Sequence, residues 1–343
     1  MIARDRLAGL LERFTGLKIG LFGDLFLDRY LDIEPGLFER SIETGLEAFQ
    51  VTRVRNQPGA LGTVMNNLAA LGVGRLVPLT VIGDDGQAFD LLKELRRLPV
   101  DTTHVIRDPR RLTPTYTKPL KQDEGGVWRE LNRLDLRTLQ PLLESTETEL
   151  LQRLDEVWNQ TDGLLVLDQI AEEGLGVVNP KVREHLIARA KAEPEKLMFV
   201  DSRTHIGLFR SGVLKPNLSE CLAAIGRPET DDPRAAREAA QQLCRNTGRP
   251  LYCTMGRRGM LVVRPDREPV EVAGYHVDGP VDIVGAGDSA TSGIAASLLA
   301  GADEVEAAAV GNLVASITVR QLGMTGTASP EQLLARWDET HAG

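Results

Sequence analysis

Cysteine is scarce in this chain. Its three thiols, Cys221, Cys244 and Cys253, are too few and too widely spaced for a disulfide framework or a zinc site, so they read as reduced side chains. Long apolar runs are missing, none reaching the roughly 18 residues of a membrane-spanning helix. The N-terminal MIARDRLAGLLERF is charged and amphipathic and lacks the apolar core of a signal peptide. A cytoplasmic location is the resulting expectation. A surplus of positive charge is absent too. The 40 Lys and Arg face 49 Asp and Glu, and the net charge of −9 speaks against nucleic-acid or membrane partners. Aromatic residues make up only 4%, which suits an α/β enzyme better than an all-β protein and offers little stacking surface for a nucleoside. No G-x-G-x-x-G follows the first apolar strand, which removes the dinucleotide oxidoreductases.

What is present alternates. Residues 4–15 read as an amphipathic helix and Lys18–Asp24 as a buried strand ending in a turn. From Asp32 to Asn56 the pattern changes to short, polar, β-leaning pieces, and a second such region runs from Thr113 to Asp135. Between them, Pro58-Gly59-Ala60 leads into a helix ending at Gly72, followed by a strand over Leu76–Ile82 and a helix over Gln87–Leu98. Later, Leu164–Asp168 and Leu197–Asp201 are apolar strands that each end in a carboxylate, separated by a helix over Val182–Lys191. Helices are expected over Arg234–Thr247, Val305–Gln321 and from Pro330 onward, with a strand at Leu251–Thr254. Strand and helix in alternation predict βαβ units and a mainly parallel sheet. The expectation is one α/β domain over residues 1–343, with a small β-sheet lid formed by about 32–56 and 113–135.

The chemistry gathers around VDIVGAGDSATSGIAASLLAG, Val281 to Gly301. A short apolar run precedes the turn Gly285-Ala286-Gly287, then Asp288, then a helix of small and apolar residues. Unpaired amides at a helix start, with the helix dipole behind them, make an anion site. A carboxylate at its mouth makes sense if Asp288 takes a proton from a hydroxyl while the amides hold the phosphoryl group that the hydroxyl attacks. The plain alternative is a turn with an Asp capping a helix. Other strand ends support the first reading. Asp24 and Asp28, four residues apart, and Asp168 lie where open sheets bind ligands. Asn217 and Glu220 offer oxygen ligands to a Mg²⁺–nucleotide, mainly through water. Thr254-x-Gly256-x-x-Gly259 lets a nucleotide approach the backbone.

In this order the residues resemble the ribokinase/PfkB family of carbohydrate kinases. Asp282-x-x-Gly285-Ala286-Gly287-Asp288 resembles its C-terminal signature, and Pro58-Gly59-Ala60 through Gly72 its N-terminal one. GDLFLDRY, TPTYTK, NRLD, KPNLSE, TMGRRGM and QLGMTGTASPEQL are most similar to the heptose-7-phosphate kinase domain of ADP-heptose synthesis. The resemblance implies a ribokinase-like (Rossmann-like) fold, ATP, Mg²⁺ and, as in some relatives, a monovalent cation. It implies Asp288 as base, the amides of Gly285, Ala286 and Gly287 as anion hole, and Asn217 and Glu220 serving Mg²⁺ and phosphate. Thr254, Gly256, Gly259 and Asn312 would line the nucleotide site. Asp28 and Gly59 would contact the sugar, with Asp24, Thr63 and Asp168 beside them. It also implies a homodimer through the lid. Three departures fall on the acceptor side. Ala60 stands where the family has Gly, Thr63 where it has Asn, and Asp168-Gln169-Ile170-Ala171-Glu172 where it has Asp-Tyr-x-Lys-Gly, turning a basic stretch acidic. Cations at Arg53, Lys118, Lys121 and Arg133 are expected to face an acceptor phosphate or solvent. No His-x-Gly-His of the fused nucleotidyltransferase half occurs among the five histidines, and no room for that half is expected. The alternatives are a kinase of a nucleoside or other polyol and an idle relative that binds sugar or nucleotide.

Overall fold

The computed structural model describes residues 2–341 apart from 124, 231 and 324. The chain opens with α1 (Arg4–Phe14), whose buried Leu7, Leu10, Leu11 and Phe14 recur at helical spacing. Next come β1 (Lys18–Gly23), the long strands β2 (Leu25–Arg40) and β3 (Glu47–Ala60), and α2 (Leu61–Ala70). Then follow β4 (Arg75–Leu79), β5 (Val81–Ile82), α3 (Gly86–Leu95), β6 (Ile106–Arg107) and β7 (Thr115–Gln122). The middle carries β8 (Trp128–Glu130), β9 (Leu134–Leu136), α4 (Glu144–Gln160), β10 (Gly163–Asp168) and α5 (Pro180–Ala192). Beyond them lie β11 (Leu197–Ser202), β12 (Val213–Leu214), α6 (Leu218–Ala224), α7 (Pro233–Thr247) and β13 (Leu251–Thr254). The chain closes with β14 (Gly259–Arg264), β15 (Arg267–Ala273), α8 (Ala286–Leu299), α9 (Glu304–Thr318) and α10 (Pro330–His341).

Eight strands form one sheet in the order β15-β14-β13-β12-β11-β10-β1-β4. Neighbours from β4 to β13 run parallel, and β14 and β15 turn antiparallel at one edge. A parallel sheet has helices on both faces, so its strands read as continuous apolar runs. β10 is the clearest case, with all six residues buried. Successive side chains serve opposite faces. Leu21, Leu165 and Phe199 join the core under α1, α2, α8 and α9, while Phe22, Val166 and Val200 join the core under α4, α5 and α7. The carboxyl ends of β1, β10, β11, β12 and β13 therefore share one rim, where open sheets bind ligands.

A second sheet orders β3-β2-β7-β8, with β9 against β7. It grows directly from the first, because β1 ends at Gly23, β2 begins at Leu25, and Asp24 alone separates them. Near that junction Leu25, Phe26 and Leu27 are buried; farther out Leu37, Phe38, Ile42 and Leu46 are exposed. No helix among the described residues is long and apolar enough to cross a membrane.

The structure corrects several sequence boundaries. The small sheet starts at Leu25 rather than Asp32, and the short pieces expected over 32–56 are two strands of 16 and 14 residues with register shifts near Ile33. The strand expected over Leu76–Ile82 breaks at Thr80 and serves two sheets. The helix expected to reach Leu98 stops at Leu95. α4 has no counterpart in the sequence reading. Its N-cap, Leu143, makes no side-chain cap, so the usual start signal is missing, although Leu150, Leu154, Val157 and Trp158 show helical spacing.

Candidate active site

The turn at the start of α8 is built on Gly285, which sits at φ 77° as the N-cap. An L side chain would be strained there, and glycine is not. Asp282 fixes the approach to the turn, accepting the Val284 amide at 3.0 Å and the Gly323 amide at 3.0 Å. The apolar run Val281–Val284 forms no strand, and Ile283 and Val284 are exposed. Of the three amides expected to form an anion hole, that of Ala286 is already given to the Ile283 carbonyl at 3.1 Å. The turn closes on itself there. Among the described residues, the amides of Gly285, Gly287 and Asp288 make no hydrogen bond and remain available.

Asp288 occupies the third position of α8 and borders a cavity of about 200 Å³ with Asp201, Lys215, Glu220 and Thr254. Burial pushes its pKa up from 3.8 to about 7, with Asp201 and Asp28 adding to the rise and Lys215 opposing it. At the end of β11, Asp201 accepts from Lys215 Nζ at 3.0 Å and from Thr291 Oγ1 at 2.8 Å. Asn217 and Glu220 hold each other in a capping box at the start of α6. The Asn217 side chain accepts from the Glu220 amide at 2.8 Å, and the Glu220 carboxylate from the Asn217 amide at 2.7 Å. One Glu220 oxygen is left over. Burial, then Asp201, raises its pKa.

On the acceptor side, Asp28 is buried, pairs with Lys118 Nζ at 2.9 Å, and lies so close to Gly59 that a Cβ there would sit 2.5 Å from Oδ2. Thr63 is buried with its methyl against the Gly285 turn. Two expected sugar ligands are otherwise engaged. Asp24 accepts from the amides of Gln169 at 2.9 Å, Ile170 at 3.0 Å and Val177 at 3.0 Å, so it ties the loop after β10 to the junction of the two sheets. Its pKa rises to about 6, chiefly through burial. Asp168, 1% exposed, accepts from Ser202 Oγ at 2.7 Å and His205 Nδ1 at 3.1 Å and anchors the loop after β11. Asp24 gives both of its oxygens to backbone amides, whereas Asp168 uses Oδ2 alone.

A second cavity of about 200 Å³ lies between the small sheet and the rim and shares Gln169 and Arg203 with the cavity of Asp288. Three guanidinium groups border it, from Arg133, Arg137 and Arg203. Arg133 lies 4.1 Å over the Tyr116 ring and bonds Asp135 at 2.6 Å; Arg137 pairs with Glu172. Of the four cations expected to face an acceptor phosphate or solvent, Arg133 borders this cavity. Lys118 is paired with Asp28, Lys121 with Glu47, and Arg53 is exposed. Arg137 and Arg203 went unnoticed in the sequence, though Arg203 lies two residues beyond the strand-end Asp201.

Where the nucleotide is expected, beside the α8 turn, lies a mainly apolar cavity of about 570 Å³ bordered by Gly256, Tyr275, Val281, Ile283, Asn312 and Val319. Asn312 gives its side-chain amide to the carbonyls of Val272 at 3.0 Å and Ala273 at 3.1 Å, fixing the end of β15 along that wall. Gly259 does not border the cavity. It is buried in β14, paired with Ala273. Thr254 faces the Asp288 cavity instead. A larger cavity, about 730 Å³, lies at the opposite ends of the strands near Leu17, Leu197 and Val213, remote from all these groups.

Comparisons with known proteins converge. The profile of the pfkB family carbohydrate kinases matches residues 33–332. The Bifunctional protein HldE of Trichlorobacter lovleyi is 29% identical over 335 residues, covering 97% of this chain and 65% of that protein. The Bifunctional protein HldE of Pseudomonas syringae pv. tomato is 29% identical over 324 residues, covering 94% and 64%. The chain thus spans under two thirds of the length of these relatives. The solved phosphofructokinase-2 from Escherichia coli in complex with potassium superposes with a TM-score of 0.72 at 19% identity, covering 94% of this chain and 99% of that one. Arabidopsis thaliana ribokinase complexed with ribose and ATP gives 0.68 at 14%, covering 93% and 98%. Both share the fold.

Proposed function

The chain belongs to the pfkB family of carbohydrate kinases, and from that premise we propose that it transfers the γ-phosphoryl group of ATP to a hydroxyl of a sugar phosphate, with Asp288 as general base. One observation carries the reading. The cavity bordered by Asp288 and the free amides of the Gly285–Asp288 turn shares the wall residues Gln169 and Arg203 with a second cavity bordered by Arg133, Arg137 and Arg203, together with the carboxylates Asp135 and Glu172 that pair with the first two. A polyol spanning both would put one hydroxyl at the carboxylate and an anionic group among Arg133, Arg137 and Arg203. Guanidinium is suited to phosphate because it donates two parallel hydrogen bonds. Heptose 7-phosphate, to which the sequence resemblance points, is a polyol phosphate of this kind.

Adenine and ribose take the apolar cavity at Gly256 and Asn312, and the triphosphate reaches toward the amides of Gly285 and Gly287. The free Glu220 oxygen suits a hard cation, and Mg²⁺ bound there through water would neutralise phosphate charge. Asp288 accepts the hydroxyl proton as the oxygen attacks phosphorus, and the turn amides meet the charge that develops on the phosphoryl oxygens. The small sheet acts as a lid that keeps water out. Its exposed Phe38, Ile42 and Leu46 support a homodimer through that lid. A monovalent cation near the turn is part of the proposal, by analogy with the potassium-bound phosphofructokinase-2, and comparing rates in KCl and in a tetramethylammonium salt tests it.

The functional test is ADP release with Mg-ATP across paired acceptors: heptose 7-phosphate and heptose, fructose 6-phosphate and fructose, ribose 5-phosphate and ribose. A phosphorylated member should exceed its partner in kcat/KM by at least tenfold. Equal rates, or preference for the unphosphorylated sugars, contradict the assignment of the arginine pocket. A panel in which no acceptor raises ADP release contradicts the kinase reading.

A further inference from the structure

Lys215 is the one residue of the KPNLSE stretch that borders the Asp288 cavity and has no part in the account so far. Its side chain is 5% exposed, yet its ammonium reaches the cavity wall beside Asp201, Glu220 and Asp288. Buried ion pairs are weak stabilisers, because desolvation offsets most of their attraction, and an apolar pair of similar size often does as well. A lysine kept charged at this position therefore calls for a use.

Geometry narrows that use. Lys215 follows β12, Asp201 is the penultimate residue of β11, and Thr291 lies on α8 one turn beyond Asp288. A single oxygen, Asp201 Oδ2, accepts from both Lys215 Nζ at 3.0 Å and Thr291 Oγ1 at 2.8 Å. The ammonium is thus fixed relative to the helix that carries the base. It also lies beside the anion turn, 3.9 Å from where a Cβ on Gly287 would stand. A fixed cation and free amides converge on one spot. Charge stabilisation of this preorganised kind acts most strongly where charge develops in the transition state.

Resting on the kinase reading above, we infer that Lys215 is a catalytic residue whose ammonium contacts the phosphoryl group in flight, and that Asp201 and Thr291 hold it there. No bond to nitrogen forms. The phosphoryl group passes from the β-phosphate oxygen of ATP to the acceptor oxygen, the hydroxyl proton goes to Asp288, and ADP leaves. A contact that tightens only as charge builds should appear in kcat rather than in binding.

The test compares wild type, Lys215→Ala, Lys215→Met and the double variant Lys215→Met/Asp201→Asn, using Mg-ATP and heptose 7-phosphate. The double variant removes both charges together, so no unpaired buried carboxylate is left to unfold the protein. Expected are kcat losses of at least 100-fold in all three variants, ATP affinity by calorimetry within about tenfold of wild type, and partial recovery of the Ala variant by ethylammonium. Recovery by a small soluble cation is not what a purely structural lysine gives. An active wild type with a double variant within threefold of it in kcat overturns the Lys215 inference and leaves the kinase reading standing. An idle wild type overturns both.

Discussion

Replacing Asp288 by Asn should make the protein more stable while removing its activity, and the gain should depend on pH. Burial and Asp201 raise the folded-state pKa of Asp288 to about 7 from the ordinary 3.8. The folded protein therefore disfavours the charged carboxylate relative to the unfolded chain. Below pH about 4 the group is protonated in both states and nothing is lost. Stability falls as pH rises through the interval and the full penalty applies above pH 7. At about 1.4 kcal/mol per pH unit, the gap comes to about 4 kcal/mol; allowing for solvent at the half-buried carboxylate brings it to about 2 to 4 kcal/mol. Asn carries no such penalty. Urea unfolding of wild type and Asp288→Asn at pH 4, 6 and 8 should show curves that nearly coincide at pH 4 and differ by about 2 to 4 kcal/mol at pH 8. The wild-type kcat should climb about tenfold per pH unit below pH 7 and level off above it, since only the deprotonated carboxylate accepts a proton. A stability difference that is the same at all three pH values, or has the opposite sign at pH 8, refutes the claim that burial has tuned this group. So does a flat profile of the chemical step between pH 5 and 8.

Other consequences are as direct. Arg137→Ala and Arg203→Ala should each raise KM for heptose 7-phosphate about 10- to 100-fold, the value of a charge-assisted hydrogen bond, while kcat changes little; unchanged KM in both removes the arginine pocket from the account. Ala60, at φ 52° and ψ −113°, is the only described non-glycine residue with positive φ. Ala60→Gly should stabilise the protein by about 1 kcal/mol in urea unfolding, as the relieved strain exceeds the added chain entropy; a loss of stability contradicts this. Asp24→Asn sets a side-chain NH₂ against backbone amides and should cost about 2 kcal/mol or more, detected as a lower urea midpoint, whereas a neutral outcome means the carboxylate does not hold the loop after β10.

The main sheet was legible because its strands are buried on both faces, so LLVLD and LMFVD announce themselves by unbroken apolarity. The small sheet was located only roughly. Its first strand leaves the main sheet after a single residue, and GDLFLDRY gives no turn signal beyond Asp24 to mark the change of sheet. α4 was missed because its N-terminus lacks a capping side chain. Among the candidate site residues, Asn217, Glu220, Thr254, Gly285, Gly287 and Asp288 do meet around one cavity, since the sheet topology brings those strand ends and the α8 turn together. What sequence could not show was which carboxylates are bonded to the chain's own amides and hydroxyls. Asp24, Asp28 and Asp168 look alike in one dimension. In three, Asp24 receives three backbone amides and Asp168 a serine and a histidine, and Asp28 alone keeps company with a lysine and the glycine of the acceptor side. Arg137 and Arg203 were hidden for a similar reason. They are contributed by separate segments, and neither stretch is basic by itself.

The central claim is that Asp288 is the base of a phosphoryl transfer. Its most direct test is single-turnover transfer from γ-labelled ATP to heptose 7-phosphate by wild type and Asp288→Asn, with ATP binding measured on the same samples. The account predicts labelled sugar bisphosphate from wild type, a rate at least 10³-fold lower from the variant, and ATP affinity within a few-fold of wild type. A variant that binds ATP and transfers the label at a rate near that of wild type would contradict it.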